Sequence, residues 1–389
     1  MAIISQKLLS YFRYFIFQYV LLQTLSNGYI SGPSSSKQWS VTESTNGRAH
    51  PGELIFKEEF NNLDLGVWSH EITMAGGGNG EFQIYANNRS NSYVKYGKLY
   101  IKPTLTSDIF GEKFLSEGTV HLGGSAAADQ CTNSLWDGCM KEGTRSNIIN
   151  PVVSARLRTA GAFAFKYGKV EVKAKLPTGD WLWPAIWLLP EKNFYGSWPA
   201  SGEIDLLESR GNAELYDTDN INIGVEQVAQ TLHFGPFHSM NGWEKTHFEQ
   251  NSRRGEGYNK GFHLYQLEWT PDRIKFSVDN EPVAEVLPSN GGFWELAGFP
   301  SNLENPWRFA ENAKMAPFDQ KFYLLVGLAV GGTNSYFPDS ATSPNTRKPW
   351  TNESPTAKRD FWNGREEWLR TWKGEDSALI IDYIRVWAI

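Results

Sequence analysis

The sequence has no surplus of basic charge. It carries 37 Lys and Arg against 43 Asp and Glu, which gives a net charge of −6 and a pI of about 5.7. Proteins that hold nucleic acid present a basic surface to the phosphate backbone. The charge balance therefore excludes nucleic acid as an expected partner, and it disfavours a polyanionic substrate.

Cysteine is scarce as well, with only Cys131 and Cys139 in 389 residues. In an exported protein, two cysteines this close in sequence predict a disulfide that closes a short loop. Two free thiols are the alternative.

Long apolar runs are absent except near the N-terminus. Lys7 and Arg13 precede "YFIFQYVLLQTL", a stretch too short to span a bilayer comfortably, and small and polar residues follow it. We interpret residues 1–27 as a secretory signal peptide, with an uncleaved signal anchor as the alternative. Residues 28–50 are rich in Ser and Gly and predict a flexible lead-in.

Long amphipathic helical patterns are also few, and "WNGREEWLRTW" at 362–372 is the best candidate. Short runs that alternate apolar and polar residues, such as "KVEVKAKL", predict strands with one solvated face. Many short strands and few helices indicate an all-β sandwich, which we expect to be a jelly roll. Because no repeat or second hydrophobic pattern is present, residues 51–389 are expected to form one domain.

Aromatic residues, by contrast, are abundant: they make up 14% of the chain and include 16 Trp. Such a number fits either a large aromatic core or flat surfaces that bind sugar rings. Composition alone does not separate the two.

Residues 202–209, "GEIDLLES", place three acids among aliphatic residues. In a regular strand Glu203 and Asp205 share one face, while Glu208 points into the opposite, aliphatic face. Burying that carboxylate in a core is costly. One extra residue in a β-bulge would return Glu208 to the face of the other two acids. We therefore predict a bulged strand whose acids line a cleft, and a solvated acidic face is the alternative.

Two carboxyl groups on one face can divide the work of cleaving a glycosidic bond. With one bulge the α-carbons of Glu203 and Glu208 are ~13 Å apart at ~3.3 Å per residue. Their side chains can then approach the ~5–5.5 Å separation of a retaining glycosidase. One ionised group attacks the sugar, while the other, its pKa raised by its neighbour's charge, protonates the leaving oxygen.

The sequence around this motif resembles a known family. "KYGKVEVKAKLPTGDWLWPAIWLLP", "GSWPASGEIDLLESRGN" and "TLHFGP" are similar to the family-16 glycoside hydrolases. Within that family they are most similar to the laminarinase-like β-1,3-glucanases of invertebrates and to the β-1,3-glucan-binding (Gram-negative bacteria-binding) proteins. "EEFNNLDLGVW", "SARLRT" and "DYIRVW" agree. The resemblance implies a concanavalin A-like jelly roll with a concave sugar-binding cleft, and endo-acting, retaining hydrolysis.

By position, the resemblance implies that Glu203 is the nucleophile and Glu208 the acid/base. Asp205 would hydrogen-bond the nucleophile and help to set its protonation state. Trp183 and Trp198 are implied to be sugar-stacking platforms.

Further cleft contacts are implied for three polar residues. His233 matches a position near the acid/base, with a purely structural histidine as the alternative. Asn79 and Arg156 match positions that hydrogen-bond glucose hydroxyls, with a surface charge as the alternative for Arg156. For Trp187 a core position is at least as well supported as a platform.

Two further expectations concern the periphery. Some relatives carry a calcium ion near the equivalents of Glu53 and Asp382, so a structural calcium is open here, although no cofactor is required. Residues 118–151 read as an inserted loop that would build a cleft wall.

The sequence thus favours a secreted, extracellular, monomeric endo-β-1,3-glucanase that acts on a neutral glucan and has no membrane attachment after signal removal. The alternative is a non-catalytic β-1,3-glucan recognition protein of innate immunity. Relatives of that second kind have one or both glutamates replaced, whereas Glu203 and Glu208 are both present here.

Overall fold

Strands dominate residues 38–389, the part of the chain that the computed structural model describes; the predicted signal peptide, 1–27, lies outside it. The strands are, in chain order, β1 (Glu43–Ser44), β2 (Gly47–Arg48), β3 (Leu54–Glu58), β4 (Ser69–His70), β5 (Gln83–Tyr85), β6 (Ser92–Lys95), β7 (Lys98–Ile101), β8 (Thr104–Leu105), β9 (Thr119–His121), β10 (Met140–Glu142), β11 (Val152–Ser154), β12 (Arg156–Arg158), β13 (Phe165–Lys166), β14 (Gly168–Lys175), β15 (Leu182–Pro190), β16 (Glu203–Ser209), β17 (Gln227–His233), β18 (His247–Asn251), β19 (His263–Trp269), β20 (Ile274–Val278), β21 (Glu281–Val286), β22 (Phe322–Val330) and β23 (Leu379–Trp387).

The helices of the same region are all short. The α-helices are α1 (Thr106–Phe110), α2 (Phe114–Glu117), α3 (Gly292–Ala297), α4 (Ala357–Asn363) and α5 (Arg365–Trp368). Turns of 3₁₀ helix lie at Gly76–Gly78, Ala127–Asp129, Leu135–Asp137, Trp243–Lys245, Leu369–Thr371 and Gly374–Ser377.

The helix predicted at 362–372 is present but interrupted. α4 and α5 are separated by Gly364, and a Cβ added there would lie 2.5 Å from Pro349 Cβ. This close approach requires glycine, which divides the amphipathic pattern into short pieces.

Two large antiparallel sheets carry most of the strands. Sheet A has the order β18-β17-β16-β15-β22-β13-β1-β2, with β12 pairing β22 and β4. Sheet B has the order β21-β20-β19-β14-β23-β7-β6, with β3 pairing β23. Side chains alternate as the sequence predicts: in β14, Val170, Val172 and Ala174 are buried, while Glu171 and Lys173 between them are partly exposed.

The two sheets share one hydrophobic core. Trp269 of sheet B is fully buried and packs edge-to-face on two rings of sheet A, Phe165 at 5.7 Å and Phe322 at 5.4 Å between centroids. Its indole N–H donates to the carbonyl of Phe318 at 3.0 Å. Two antiparallel sheets around one core form the sandwich that was predicted, and the jelly-roll fold class is confirmed.

The predicted flexible lead-in, 28–50, is wrong for its described part. β1 pairs with β13, and Glu43 forms a 2.9 Å ion pair with Lys166. Thr42 Oγ1 accepts the backbone N–H of Ile389 at 3.0 Å. The Ser- and Gly-rich composition did not predict these pairings, because strand pairing is formed by backbone N–H and C=O groups, which nearly every residue carries. The compact unit accordingly runs from Trp39 to Ile389.

Between residues 38 and 389, no helix is long and apolar enough to cross a membrane.

We expect Trp269→Phe to lower the free energy of unfolding by about 1–3 kcal/mol, because it leaves a void in the core and removes the donor to the Phe318 carbonyl. Urea titration followed by circular dichroism measures this change. Trp136→Phe is the matched control, since Trp136 is 68% exposed, and it should stay within about 0.5 kcal/mol. Equal effects of the two substitutions would contradict the assignment of Trp269 to the shared core.

Candidate active site

A β-bulge in β16 sets the geometry of the acidic strand. Against β17, Asp205 pairs with Thr231 and Glu208 pairs with Ala229, so three steps on one strand match two on the other. The same shift occurs against β15. The two leucines inside the bulge are buried in the core. The bulge predicted from the sequence is confirmed, and Glu208 returns to the face of the other acids.

Indole groups hold both glutamates on this face. Trp198 Nε1 donates to Glu203 Oε2 at 2.5 Å, and Trp183 Nε1 donates to Glu208 Oε1 at 3.0 Å. Each glutamate is partly exposed. The alternative of a freely solvated acidic face is therefore wrong, since each carboxylate is fixed by a specific donor.

The raised pKa values lie at one end of this acidic row. Burial, followed by the charge of Asp205, raises the pKa of Glu203 to about 8. Burial, followed by the charge of Glu208, raises the pKa of Asp205 well above its usual value. The sequence analysis placed a raised pKa on the acid/base, whereas burial places the raised pKa values on Glu203 and Asp205. With a pKa of about 8, Glu203 must lose its proton before it can act as a carboxylate.

His233 lies next to Asp205, not next to Glu208 as the sequence analysis expected. Its Nε2 is 3.1 Å from Asp205 Oδ2, and its side chain is 22% exposed. Ligand atoms of Glu203, Asp205 and His233 lie within 4.8 Å of one another, a spacing that a cation could bridge. Asn241 Nδ2, however, lies 2.9 Å from His233 Nδ1. If Nδ1 accepts this bond, the ring proton is on Nε2, which then has no lone pair for a metal.

The two predicted sugar platforms differ in exposure. Trp198 is 38% exposed, so its indole has a free surface beside Glu203. Trp183 is only 6% exposed because Tyr336 stacks on it at 3.8 Å between centroids. Trp183 is therefore not the open platform that was predicted, and its indole N–H bonds Glu208 instead. Trp187 is also 6% exposed and lies beneath a guanidinium group at 4.9 Å.

That guanidinium belongs to Arg156, which has its own partners. It lies 3.4 Å from Glu71 and 3.5 Å from Glu81, and it donates to Tyr85 Oη at 3.1 Å. The surface-charge alternative is wrong, because the Arg156 side chain is only 16% exposed. Asn79 joins the same network through a 3.1 Å hydrogen bond to Glu81. Their contact with sugar stays a prediction.

Small residues form the floor on either side of Glu208. Ala185 on β15 and Ala229 on β17 are its cross-strand neighbours, and Gly327 on β22 follows Ala185. The next strand carries Arg156, opposite Gly327. Paired residues point to the same face of a sheet. Small side chains therefore flank Glu208 on both neighbouring strands, whereas Arg156 and Trp187 cover Gly327.

Three residues of this site were missed by sequence reasoning. They are Asn241, Tyr336 and Trp243, whose ring centroid is 6.5 Å from that of His233. Trp243 is 38% exposed and is a second indole surface on the Glu203 side. All three lie in turns or loops, and no periodic pattern marks a loop side chain that reaches another strand. The "MNGW" turn after "TLHF" is the one local signal.

The predicted disulfide is confirmed, and the free-thiol alternative is wrong: the sulfurs of Cys131 and Cys139 are 2.01 Å apart. The loop that they close is anchored by a 2.8 Å bond from Met74 N to Gly138 O. It therefore lies beside the segment that leads to Asn79. Its role as a cleft wall stays a prediction.

The charges around Asp382 do not fit the calcium site that some relatives carry. Its carboxylate lies 3.4 Å from Lys98 Nζ and 3.0 Å from Lys173 Nζ. Glu53 accepts the backbone N–H of His50 at 2.8 Å. A calcium ion needs several oxygen ligands and would be repelled by two ammonium groups at this point.

Comparison with known proteins gives a consistent picture. Residues 133–305 match the model of the glycosyl hydrolases family 16. A β-1,3-glucan-binding protein of Penaeus monodon is 53% identical over 86% of this chain and 90% of its own length. β-1,3-glucan-binding protein 1 of Manduca sexta is 35% identical over 93% of this chain and 70% of its own length. The laminarinase structure from Rhodothermus marinus has a TM-score of 0.52 and 23% identity, over 87% of this chain and 97% of that one, which shows the shared fold.

The raised pKa of Glu203 predicts a cost to stability at alkaline pH. A carboxyl whose pKa is about 8 when folded and 4.5 when unfolded binds its proton more tightly in the folded state. Stability must then fall as pH rises between these values and be level above about 8. We expect Glu203→Gln to be more stable than the wild type by about 1–3 kcal/mol at pH 8.5, with little difference at pH 4.5. This range of stability is smaller than the pKa difference of Glu203 alone would give, because solvent reaches its carboxyl group.

Urea unfolding at the two pH values measures the effect. Glu249→Gln is the control, because a hydrogen bond from His247 lowers the pKa of Glu249, so its removal should give no gain at pH 8.5. A gain in the stability of Glu203→Gln that is the same at both pH values would contradict the raised pKa of Glu203.

Proposed function

Because the chain belongs to the glycosyl hydrolases family 16, we propose that it is a secreted endo-β-1,3-glucanase that acts by retaining double displacement. The observation that carries this proposal is the bulge in β16, which brings Glu203 and Glu208 to one face with a separate indole donor for each. The disulfide fits the oxidising environment of an exported protein.

In the first step, a carboxylate oxygen of Glu203 bonds to the anomeric carbon. The glycosidic C–O bond breaks, and Glu208 gives its proton to the leaving oxygen. The Trp198 and Trp183 N–H groups hold the two carboxyls in place during this step. The product is a glycosyl ester of Glu203 and a released sugar chain.

In the second step, Glu208 takes a proton from water, whose oxygen attacks the anomeric carbon. The ester bond to Glu203 breaks, which restores its carboxylate and leaves Glu208 protonated. Glu208 can act as the base here because it gave up its proton in the first step. Esterification of Glu203 removes the neighbouring negative charge, which favours the ionised form of Glu208.

β-1,3-Glucan is the proposed substrate for two reasons. The relatives at 53% and 35% identity are named for binding it. The site also suits a neutral polymer, because its acidic row would repel an anionic chain, and Trp198 and Trp243 offer half-exposed indole surfaces. Apolar faces of sugar rings pack on such surfaces while the hydroxyls remain hydrated.

A non-catalytic β-1,3-glucan recognition protein is the second candidate, since the relatives' names describe binding alone. Purified protein incubated with laminarin separates the two functions. We expect release of reducing ends that increases with time, together with short oligosaccharide products. Binding of laminarin without any release would refute the hydrolase and favour the recognition protein.

We expect Glu203→Gln and Glu208→Gln to lower turnover of laminarin by about 10³-fold or more while glucan binding persists, because each removes a group that reacts only in the chemical steps. Glu249→Gln is the matched control on β18, which is separated from β16 by β17, and it should keep turnover within a few-fold. Reducing-end assays and affinity electrophoresis give the two readouts. Full turnover in either Gln variant would overturn the assigned roles.

Azide distinguishes the two glutamates. In Glu208→Ala, added azide should attack the glycosyl ester from the vacated side and form a β-glycosyl azide from an activated β-glucoside substrate. Product anomers are read by NMR. An α-azide from this variant would mean that Glu208, not Glu203, is the nucleophile.

A further inference from the structure

Asn241 has a fixed amide orientation. Its Oδ1 lies 3.3 Å from the backbone N of Phe234 and 3.2 Å from the backbone N of Trp243, and it accepts from both. An amide nitrogen cannot accept these bonds, so the Nδ2 end must point the other way. That end lies 2.9 Å from Nδ1 of His233.

The amide orientation determines the tautomer of His233. Because Nδ2 can only donate, Nδ1 must be the unprotonated, accepting nitrogen of the ring. The proton of the neutral ring is then on Nε2, the atom that lies 3.1 Å from Asp205 Oδ2. Asp205 is 94% buried by side-chain surface, since 6% is exposed. Oδ2 accepts no hydrogen bond within the described residues, so its 3.1 Å contact with His233 Nε2 is one of charge and proximity.

The Nε2–H tautomer therefore puts a donor, not a lone pair, beside the buried Oδ2 of Asp205. Burial and the charge of Glu208 raise the pKa of Asp205, whereas its side-chain bond with Glu203 lowers it. Glu203 also receives the N–H of Trp198. Asp205 thus lies between His233 and the proposed nucleophile.

We propose that Asn241 is a positioning residue that fixes the Nε2–H tautomer of His233 and thereby keeps an N–H group beside Asp205, the carboxyl next to the nucleophile. This inference rests on the proposed function, because it gives Asn241 a role in setting the protonation of the Glu203–Asp205 pair. Asn241 itself touches none of the reacting atoms.

The other titratable groups around His233 do not compete for its two nitrogens. Glu203 is its cross-strand partner on β16 and is bonded by Trp198. His247 on β18 is held by Thr231 Oγ1 at 2.9 Å and Glu249 at 3.4 Å. His238 lies against the Trp198 ring at 5.3 Å between centroids.

Nitrogen-15 NMR of the full-length protein tests the tautomer directly. The His233 signals are assigned by their loss in His233→Gln. In the wild type at a pH where the ring is neutral, we expect Nδ1 to be unprotonated and Nε2 to be protonated. The reverse pattern would overturn the proposal, and this measurement needs neither substrate nor activity.

Asn241→Asp tests the consequence for catalysis. The aspartate keeps an oxygen acceptor for the two backbone N–H groups, so the turn is preserved, but its second oxygen requires a proton on Nδ1. We expect Nδ1 to become protonated, kcat on laminarin to fall about 10- to 100-fold and KM to change less than about threefold. Asn259→Asp, whose parent amide bonds Thr178 at 2.7 Å, is the matched control and should leave kcat and KM unchanged.

The outcomes separate this inference from the proposed function. A changed tautomer with unchanged kcat would remove the positioning role of Asn241 and leave the hydrolase intact. A wild type that binds laminarin without cleaving it would remove the hydrolase, and with it the role in setting the protonation of the Glu203–Asp205 pair. Loss of kcat in Asn241→Asp with the Nε2–H tautomer retained would also contradict the proposal.

Discussion

A single extra residue in β16 is the constraint on which the site depends. A strand has a period of two, so acids at 203 and 208 cannot share a face without an irregularity. The bulge resolves the conflict by placing two leucines in the core and returning Glu208 to the acidic face. The alternative register would bury a carboxylate among aliphatic side chains, at a cost of several kcal/mol. The core thus dictates where the carboxylates must be.

The second constraint is electrostatic. Three carboxyls share one strand face, two of them with raised pKa values, and burial is the first cause in both. The surroundings offset this cost by aiming N–H groups at the row: two indoles bond the glutamates, and a histidine faces Asp205. Selection for stability alone would replace these acids with uncharged residues. Retaining them with dedicated donors is typical of a site where chemistry, not packing, fixes the residues.

Sequence reasoning located the strand, its bulge and the short disulfide loop, because each follows from local rules: strand period, the cost of a buried charge and cysteine spacing. It failed where side chains meet through the fold. Trp183 was predicted to be an open platform because the sequence does not show that Tyr336, far along the chain, stacks on its ring. His233 was assigned to the wrong carboxyl because the pairing of β16 with β17 was not known. The pairing of β1 with β13 was missed because the ordering of 43–44 depends on a partner at 165–166.

Binding and hydrolysis make different demands on this one face. The small residues beside Glu208 and the half-exposed indoles would serve a glucan in either case, because they recognise its ground state. Nothing in ground-state binding of a neutral chain calls for two carboxyls with raised pKa values or for a separate indole donor on each glutamate. A carboxylate formed at Glu203 stabilises positive charge that develops at the anomeric carbon only as the bond breaks. The energetic cost of Glu203 therefore favours the proposed hydrolase, whose transition state would use this carboxylate, over a protein that only binds glucan and would be more stable without it.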